Sequence, residues 1–176
     1  MKSLNKLNKK VSHLEPDDKP DWPFDILEKN CNNLESDKKK CVLLNTGGHN
    51  PMHIGHLKLM DRAKTLLESK GYQILAMYLS PSSDYYVSSK EEWETAYHRV
   101  NIANLTINSV EDSQIRIGTW EARKPCRMPY FPDFPEVIEE LKKTLLSIPG
   151  FPEDGEVFYV CGADHYKNCE YLLQKN

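Results

Sequence analysis

Asn45-Thr46-Gly47-Gly48-His49-Asn50-Pro51-Met52-His53-Ile54-Gly55-His56 decides how this chain is read. An apolar run, Cys41-Val42-Leu43-Leu44, precedes it. A pattern with Leu57, Met60, Ala63 and Leu67 on one helical face follows it. A strand therefore runs into a glycine turn, and the turn runs into the start of a helix. The first amides of a helix are unpaired and face outward, and the helix dipole adds positive potential there. Such an end suits phosphate. Pro51 fixes the backbone just before the helix, Gly55 leaves room beside its first turn, and His53 and His56, three apart, share a face. A lone histidine would be read as structural. Three histidines within eight residues, beside a Gly-Gly pair, point to function. The turn matches neither the dinucleotide fingerprint G-x-G-x-x-G nor the phosphate loop G-x-x-x-x-G-K-[ST]. Zinc on His49, His53 and His56 would want carboxylates behind the imidazoles. The nearest helix acid, Asp61, lies more than a turn beyond His56, so phosphate is preferred and no protein metal site is expected.

The alternation of elements continues beyond this stretch. A strand is expected over 41–46, a helix over 53–69 ended by Gly71, and a strand over 73–79 apolar enough to be buried on both faces. A polar loop over 80–90 leads to a helix over 91–106, a strand over 114–118 and a loop over 119–133. A helix from Pro135 to about Ser147 and a strand over 157–161 follow, and Gly162-Ala163-Asp164 turns into a last helix. Strands alternating with helices predict an α/β fold, a Rossmann-like parallel sheet with helices on both faces. Ligands in such sheets bind outside the carboxyl ends of the strands. The 47–56, 80–90, 119–127 and 162–165 segments all follow strands and should open on that one edge. Residues 1–40 read as a partly flexible N-terminal extension to a domain over 41–176. They hold mixed charges, Pro16, Pro20 and Pro23, and one apolar island of Trp22, Phe24, Ile26 and Leu27 placed to dock on the domain.

Composition narrows the function classes. The chain has 176 residues, 39% hydrophobic and 28% charged, which fits one soluble domain with a real core. A net charge of −3 argues against a general nucleic-acid binder. Five cysteines, an odd number without a C-x-x-C pair, argue for a reducing compartment. No apolar leader and no stretch long enough to span a bilayer is seen, so a cytoplasmic or nuclear protein without a membrane partner is expected. Lys38-Lys39-Lys40 reads as a solvated strand start before it reads as a nuclear signal, and the Asn104-Leu105-Thr106 sequon falls in a helical pattern.

His53-Ile54-Gly55-His56 resembles the [HT]-x-G-H signature of the nucleotidyltransferase superfamily. Leu79-Ser80-Pro81-Ser82-Ser83-Asp84-Tyr85-Tyr86, Ala96-Tyr97-His98-Arg99-Val100, Thr119-Trp120-Glu121 and Cys161-Gly162-Ala163-Asp164 fall in the order seen in eukaryotic nicotinamide/nicotinate-mononucleotide adenylyltransferases. The resemblance implies a reaction in which the phosphate of a pyridine mononucleotide attacks the α-phosphorus of ATP, giving a dinucleotide and pyrophosphate. It implies catalytic His53 and His56, an ATP site of Gly47, Gly48, His53, His56, Gly162 and Asp164, and a mononucleotide site of Gly48, His49, Lys90 and Trp120. Mg²⁺ would enter bound through the ATP phosphates. The partners are then ATP and nicotinamide or nicotinate mononucleotide.

Each assignment has a plainer rival. Trp120 would anchor a loop in the core, Asp164 would only cap the last helix, His98 and Arg99 would form structural pairs, and Arg123 and Arg127 would lie on a solvated loop. The chain also departs from the family pattern. His49 stands where an aromatic residue is usual, the 84–97 segment is about two residues longer, and nothing after Asp164 matches the later Ser-[ST]-x-x-[IV]-R segment. Two alternatives therefore stand beside the adenylyltransferase. One is another nucleotidyltransferase of this signature, of the pantetheine-phosphate or cytidyl type. The other is a C-terminally incomplete, non-catalytic nucleotide-binding module. A sheet that stops after its fourth strand leaves an open edge, so marginal stability alone or a covering partner, a second copy of the chain included, is expected.

Overall fold

The computed structural model describes residues 20–123 and 134–173. Strands β1 (Lys39–Gly47), β2 (Tyr72–Pro81), β3 (Ile115–Ile117) and β4 (Glu156–Tyr159) form one parallel sheet in the order β3-β2-β1-β4. The helices are α1 (Asp25–Cys31), α2 (Ile54–Glu68), α3 (Asp84–Val87), α4 (Ala96–Asn108), α5 (Trp120–Arg123), α6 (Phe134–Leu145) and α7 (Ala163–Leu173).

β1 has neighbours on both sides and helices over both faces, so Cys41, Val42, Leu43 and Leu44 are all fully buried. Alternation sends Cys41 and Leu43 into one core with Leu57 and Met60 of α2 and Val100, Ala103 and Ile107 of α4. Val42 and Leu44 enter the other with Leu27 and Cys31 of α1 and Val137, Leu141 and Leu145 of α6. The β1–β2 register slips by one between Cys41 and Val42, which pair with Ile74 and Ala76. That bulge puts the consecutive Leu75 and Ala76 on the same face, in the second core.

Residues before β1 contribute to this second core. Trp22, 2% exposed, meets Tyr78 edge-on at 5.4 Å and lies against Gly118, where a Cβ would overlap the indole. Asp21 ties the same segment to the turn after β3, through Thr119 N–H (2.8 Å to its carbonyl) and Arg123 Nη1 (3.0 Å to its carboxylate).

The observed elements shift some expected boundaries. The helix expected from 91 begins at Ala96, because Asp84 Oδ1, twelve residues upstream, accepts the Ala96 N–H at 2.5 Å. The expected 80–90 loop contains α3, and the expected 119–133 loop begins with the helical turn α5; Arg127 lies outside the described residues. Gly71 ends α2 in the left-handed region, φ 85°, as a terminal glycine does.

The topology positions the site. The chain steps from β1 to β2 to β3 on one side and then returns to place β4 on the other side of β1. The strand order therefore reverses between the carboxyl ends of β1 and β4, where open α/β sheets bind ligands.

Candidate functional site

A cleft of about 430 Å³ opens at that reversal. Gly47, Gly48, His49, His53 and His56 line it from the β1 side, Gly162, Asp164 and His165 from the β4 side, and Lys90 from the loop after α3. Every residue expected at the ATP site is therefore brought together. Of those expected at the mononucleotide site, Gly48, His49 and Lys90 line the cleft. Trp120 does not: half-buried at the start of α5, it packs against the core of the α1–α6 face.

The two histidines of the signature build the start of α2. His53 is extended at the N-cap (φ −146°, ψ 168°), and its Nδ1 accepts the Gly55 N–H at 3.1 Å. The His53 N–H in turn lies 3.2 Å from His56 Nδ1, completing a capping box in which imidazoles replace the usual hydroxyl and carboxylate. With Nδ1 accepting, neutral His53 carries its proton on Nε2. His56 Nδ1 also lies 3.3 Å from the His53 carbonyl, to which it donates only when it holds a proton. Burial, then the neighbouring His53, pull the His56 pKa down and favour the neutral ring that accepts the amide. The cap thus leaves the Nε2–H of each ring as the donor offered to a ligand, with the rings 4.1 Å apart.

The glycine turn is anchored from behind. Gly47 O accepts from Ser82 N–H (2.8 Å) and Gly48 O from Arg99 Nη1 (2.8 Å). Arg99 is fully buried and also donates to Ser82 O (2.6 Å), Glu94 O (2.9 Å) and Asp84 Oδ1 (3.0 Å). His98, its neighbour in sequence, is exposed. A Cβ on Gly48 would come within 3.2 Å of Lys90 Nζ, so the bare glycine lets the ammonium lie over the turn.

His49, 4% exposed, takes φ 39°, a left-handed conformation that side chains seldom adopt. Asn45 Nδ2 donates to Val160 O at 2.7 Å, which turns Asn45 Oδ1 towards His49 to accept its Nε2–H at 2.9 Å. His49 Nδ1 is then a buried acceptor with no partner among the described residues. Burial, helped by the charges of His56, Arg99, His53 and Lys90, pushes the His49 pKa down to about 3, so the ring is neutral.

On the β4 side, Tyr159 OH bonds Thr46 Oγ1 (2.8 Å) and His165 Nε2 (3.1 Å), and Phe134 stacks on the Tyr159 ring at 4.5 Å. Asp164 opens α7 and folds back towards Gly162, where a Cβ would lie 2.7 Å from its Oδ1. His165 was not anticipated from sequence; its one signal was its place directly after Gly162-Ala163-Asp164. Among the described residues no group of three or more His, Cys, Asp or Glu side chains is placed to hold a metal ion. None of the described helices is long and apolar enough to cross a membrane.

Residues 44–175 match the model of the cytidylyltransferase-like family. The chain is similar to the nicotinamide/nicotinic acid mononucleotide adenylyltransferase of Arabidopsis thaliana, 28% identical over 145 residues that cover 82% of this chain and 58% of the relative. It is 31% identical over 123 residues to the protein of that name from Oryza sativa subsp. japonica, covering 70% of this chain and 47% of the relative. It is 34% identical over 88 residues to nicotinamide/nicotinic acid mononucleotide adenylyltransferase 1 of Bos taurus, covering 49% and 30%. The chain spans about half the length of the plant relatives it matches. A match over three quarters of the sequence, together with a parallel α/β sheet whose signature turn opens at the strand reversal, shows that the chain belongs to the cytidylyltransferase-like family.

Proposed function

We propose that the chain transfers the adenylyl group of ATP to nicotinamide or nicotinate mononucleotide. A phosphate oxygen of the mononucleotide attacks the α-phosphorus in line, the bond to the β-phosphate breaks, and pyrophosphate leaves with its electron pair. The observation that carries this reading is the single cleft that gathers the Gly47–Gly48 turn, His53, His56 and Lys90 on one wall and Asp164 on the other. Similarity to relatives bearing the adenylyltransferase name supports a pyridine mononucleotide as the acceptor.

The roles follow from the donors each residue offers. His53 and His56 present Nε2–H groups to the triphosphate, at the positive end of α2. Gly47 and Gly48 let phosphate approach the backbone. The Lys90 ammonium takes the mononucleotide phosphate, and neutral His49 forms the floor beneath it. Gly162 and Asp164 take the adenosine side, the carboxylate accepting from a ribose hydroxyl. The family resemblance alone assigns Trp120, half-buried outside the cleft, to stack on the pyridine ring. No covalent enzyme intermediate is needed, since positioning and charge neutralisation carry phosphoryl transfers of this kind.

Imidazoles and an ammonium suit phosphate, whereas a hard cation prefers oxygen ligands. Mg²⁺ would therefore be held by the ATP phosphates rather than by these side chains, and would supply the rest of the charge neutralisation. A cytoplasmic or nuclear setting, with reduced thiols, goes with this function, as does a catalytic domain over 41–176 extended by 1–40.

The test offers the purified chain ATP and Mg²⁺ with nicotinamide mononucleotide, nicotinate mononucleotide or phosphopantetheine in turn, and follows pyrophosphate release and dinucleotide formation. Release with the pyridine mononucleotides alone is expected. Release with phosphopantetheine would reassign the acceptor. Bound ATP without release in any arm would make the chain a nucleotide-binding module.

A further inference from the structure

Resting on the cleft as a phosphate site, we propose that Arg99 is a positioning residue that aims the Gly48 and His49 backbone amides at bound phosphate. A buried guanidinium needs a carboxylate, and Asp84 supplies it. Arg99 does more than form that pair: its remaining donors reach three carbonyls on three different segments, Gly48, Ser82 and Glu94. It touches no ligand itself, because it is fully buried.

The peptide group transmits the effect. It is planar and trans, so each carbonyl points opposite to the N–H that follows it; in this stretch only Asn50–Pro51 is cis. Arg99 draws the Gly48 carbonyl back, which turns the His49 N–H the other way. Ser82 N–H draws the Gly47 carbonyl back, which turns the Gly48 N–H the other way, and Ser82 is itself held by Arg99 Nη2. Neither amide has a protein acceptor among the described residues, and both residues line the cleft. Successive backbone N–H groups in a turn form an anion-binding concavity, and the left-handed φ of 39° at His49 belongs to such a turn. Without the anchor, rotation of the Gly48 peptide would set a carbonyl oxygen against the phosphate.

The experiment titrates inorganic pyrophosphate into the ¹⁵N-labelled 176-residue chain and into Arg99→Lys, a variant that keeps the charge but loses the fork. In the wild type, the Gly48 and His49 amide resonances are expected to shift most. In folded Arg99→Lys the pyrophosphate Kd is expected to rise about tenfold, the scale of one charge-assisted hydrogen bond. Arg116→Lys, the same exchange at an ion pair outside the cleft, is expected to stay within about threefold of wild type; an equal loss there would overturn the assignment. An unchanged Kd in folded Arg99→Lys overturns the proposal. Should that variant not fold, wild-type binding that leaves the Gly48 and His49 amides unmoved overturns it instead. A wild type that does not bind pyrophosphate overturns the reading of the cleft, and the proposal with it.

Discussion

His49 concentrates the unusual chemistry of the glycine turn in one side chain. Its pKa, pushed down to about 3 from an ordinary value near 6.5, has a definite consequence for stability. Between those values the unfolded chain binds a proton that the folded chain does not. The contribution is therefore intact above pH ~6.5 and is lost as pH falls towards ~3, by at most about 1.4 kcal/mol per pH unit. His56, whose pKa is also depressed, adds in the same direction. Urea unfolding at pH 7.5 and pH 4.5 should show a smaller pH-dependent loss in His49→Gln, which can still bond Asn45, than in wild type; equal losses would place the acid sensitivity elsewhere. At Gly48 an added methyl meets the flexible end of Lys90 before any backbone. Gly48→Ala is expected to change stability by less than about 1 kcal/mol while weakening phosphate affinity several-fold. Titration with pyrophosphate beside a urea melt separates the two. His53 and His56 were legible because their motif is local. For Arg99 a structural pairing was legible but its partners were not, since they lie up to 51 residues away and nothing in the 96–100 pattern names them.

At the scale of elements, apolar periodicity located β1, α2, β2, α6 and β4 to within a few residues. Elements set by distant contacts were missed or shifted. α1 is seven residues long and follows Pro20 and Pro23, so it read as an apolar island, and α3 and α5 are single turns too short to show a period. The start of α4 was hidden because its cap is Asp84, from another segment. Two predictions belong here. The α2 cap separates stability from binding: His53→Ala should lose about 0.5–2 kcal/mol. His53→Ser restores an acceptor for the cap but offers no imidazole, so it should recover most of that loss while remaining weak for ATP. Thermal melts and ATP titration of the pair distinguish a cap from a ligand contact. Gly118 and Trp22 make the second case. Gly118→Ala drives a methyl into the indole and is expected to cost about 1–3 kcal/mol in urea unfolding. A neutral result would mean that the segment before β1 is loosely held.

For the whole molecule, strand–helix alternation was enough to predict the parallel sheet and the edge on which its loops would open. It did not determine the order β3-β2-β1-β4, because strand neighbours are fixed by packing between segments far apart in sequence. That order makes the segments after β1 and β4 face each other across one cleft, and it leaves Trp120, after β3, against the other core. The segments with the strongest motifs are thus the ones the topology joins. A Trp120→Ala variant that retained full mononucleotide affinity would remove the stacking role from the account. Calorimetric titration of Mg²⁺-ATP into the purified chain and into folded His56→Ala decides whether the signature cleft at the β1–β4 reversal holds the triphosphate. One saturable site per chain is expected in the wild type, with affinity at least about tenfold weaker in the variant. Equal affinity in the two proteins, or no binding by the wild type, would contradict it.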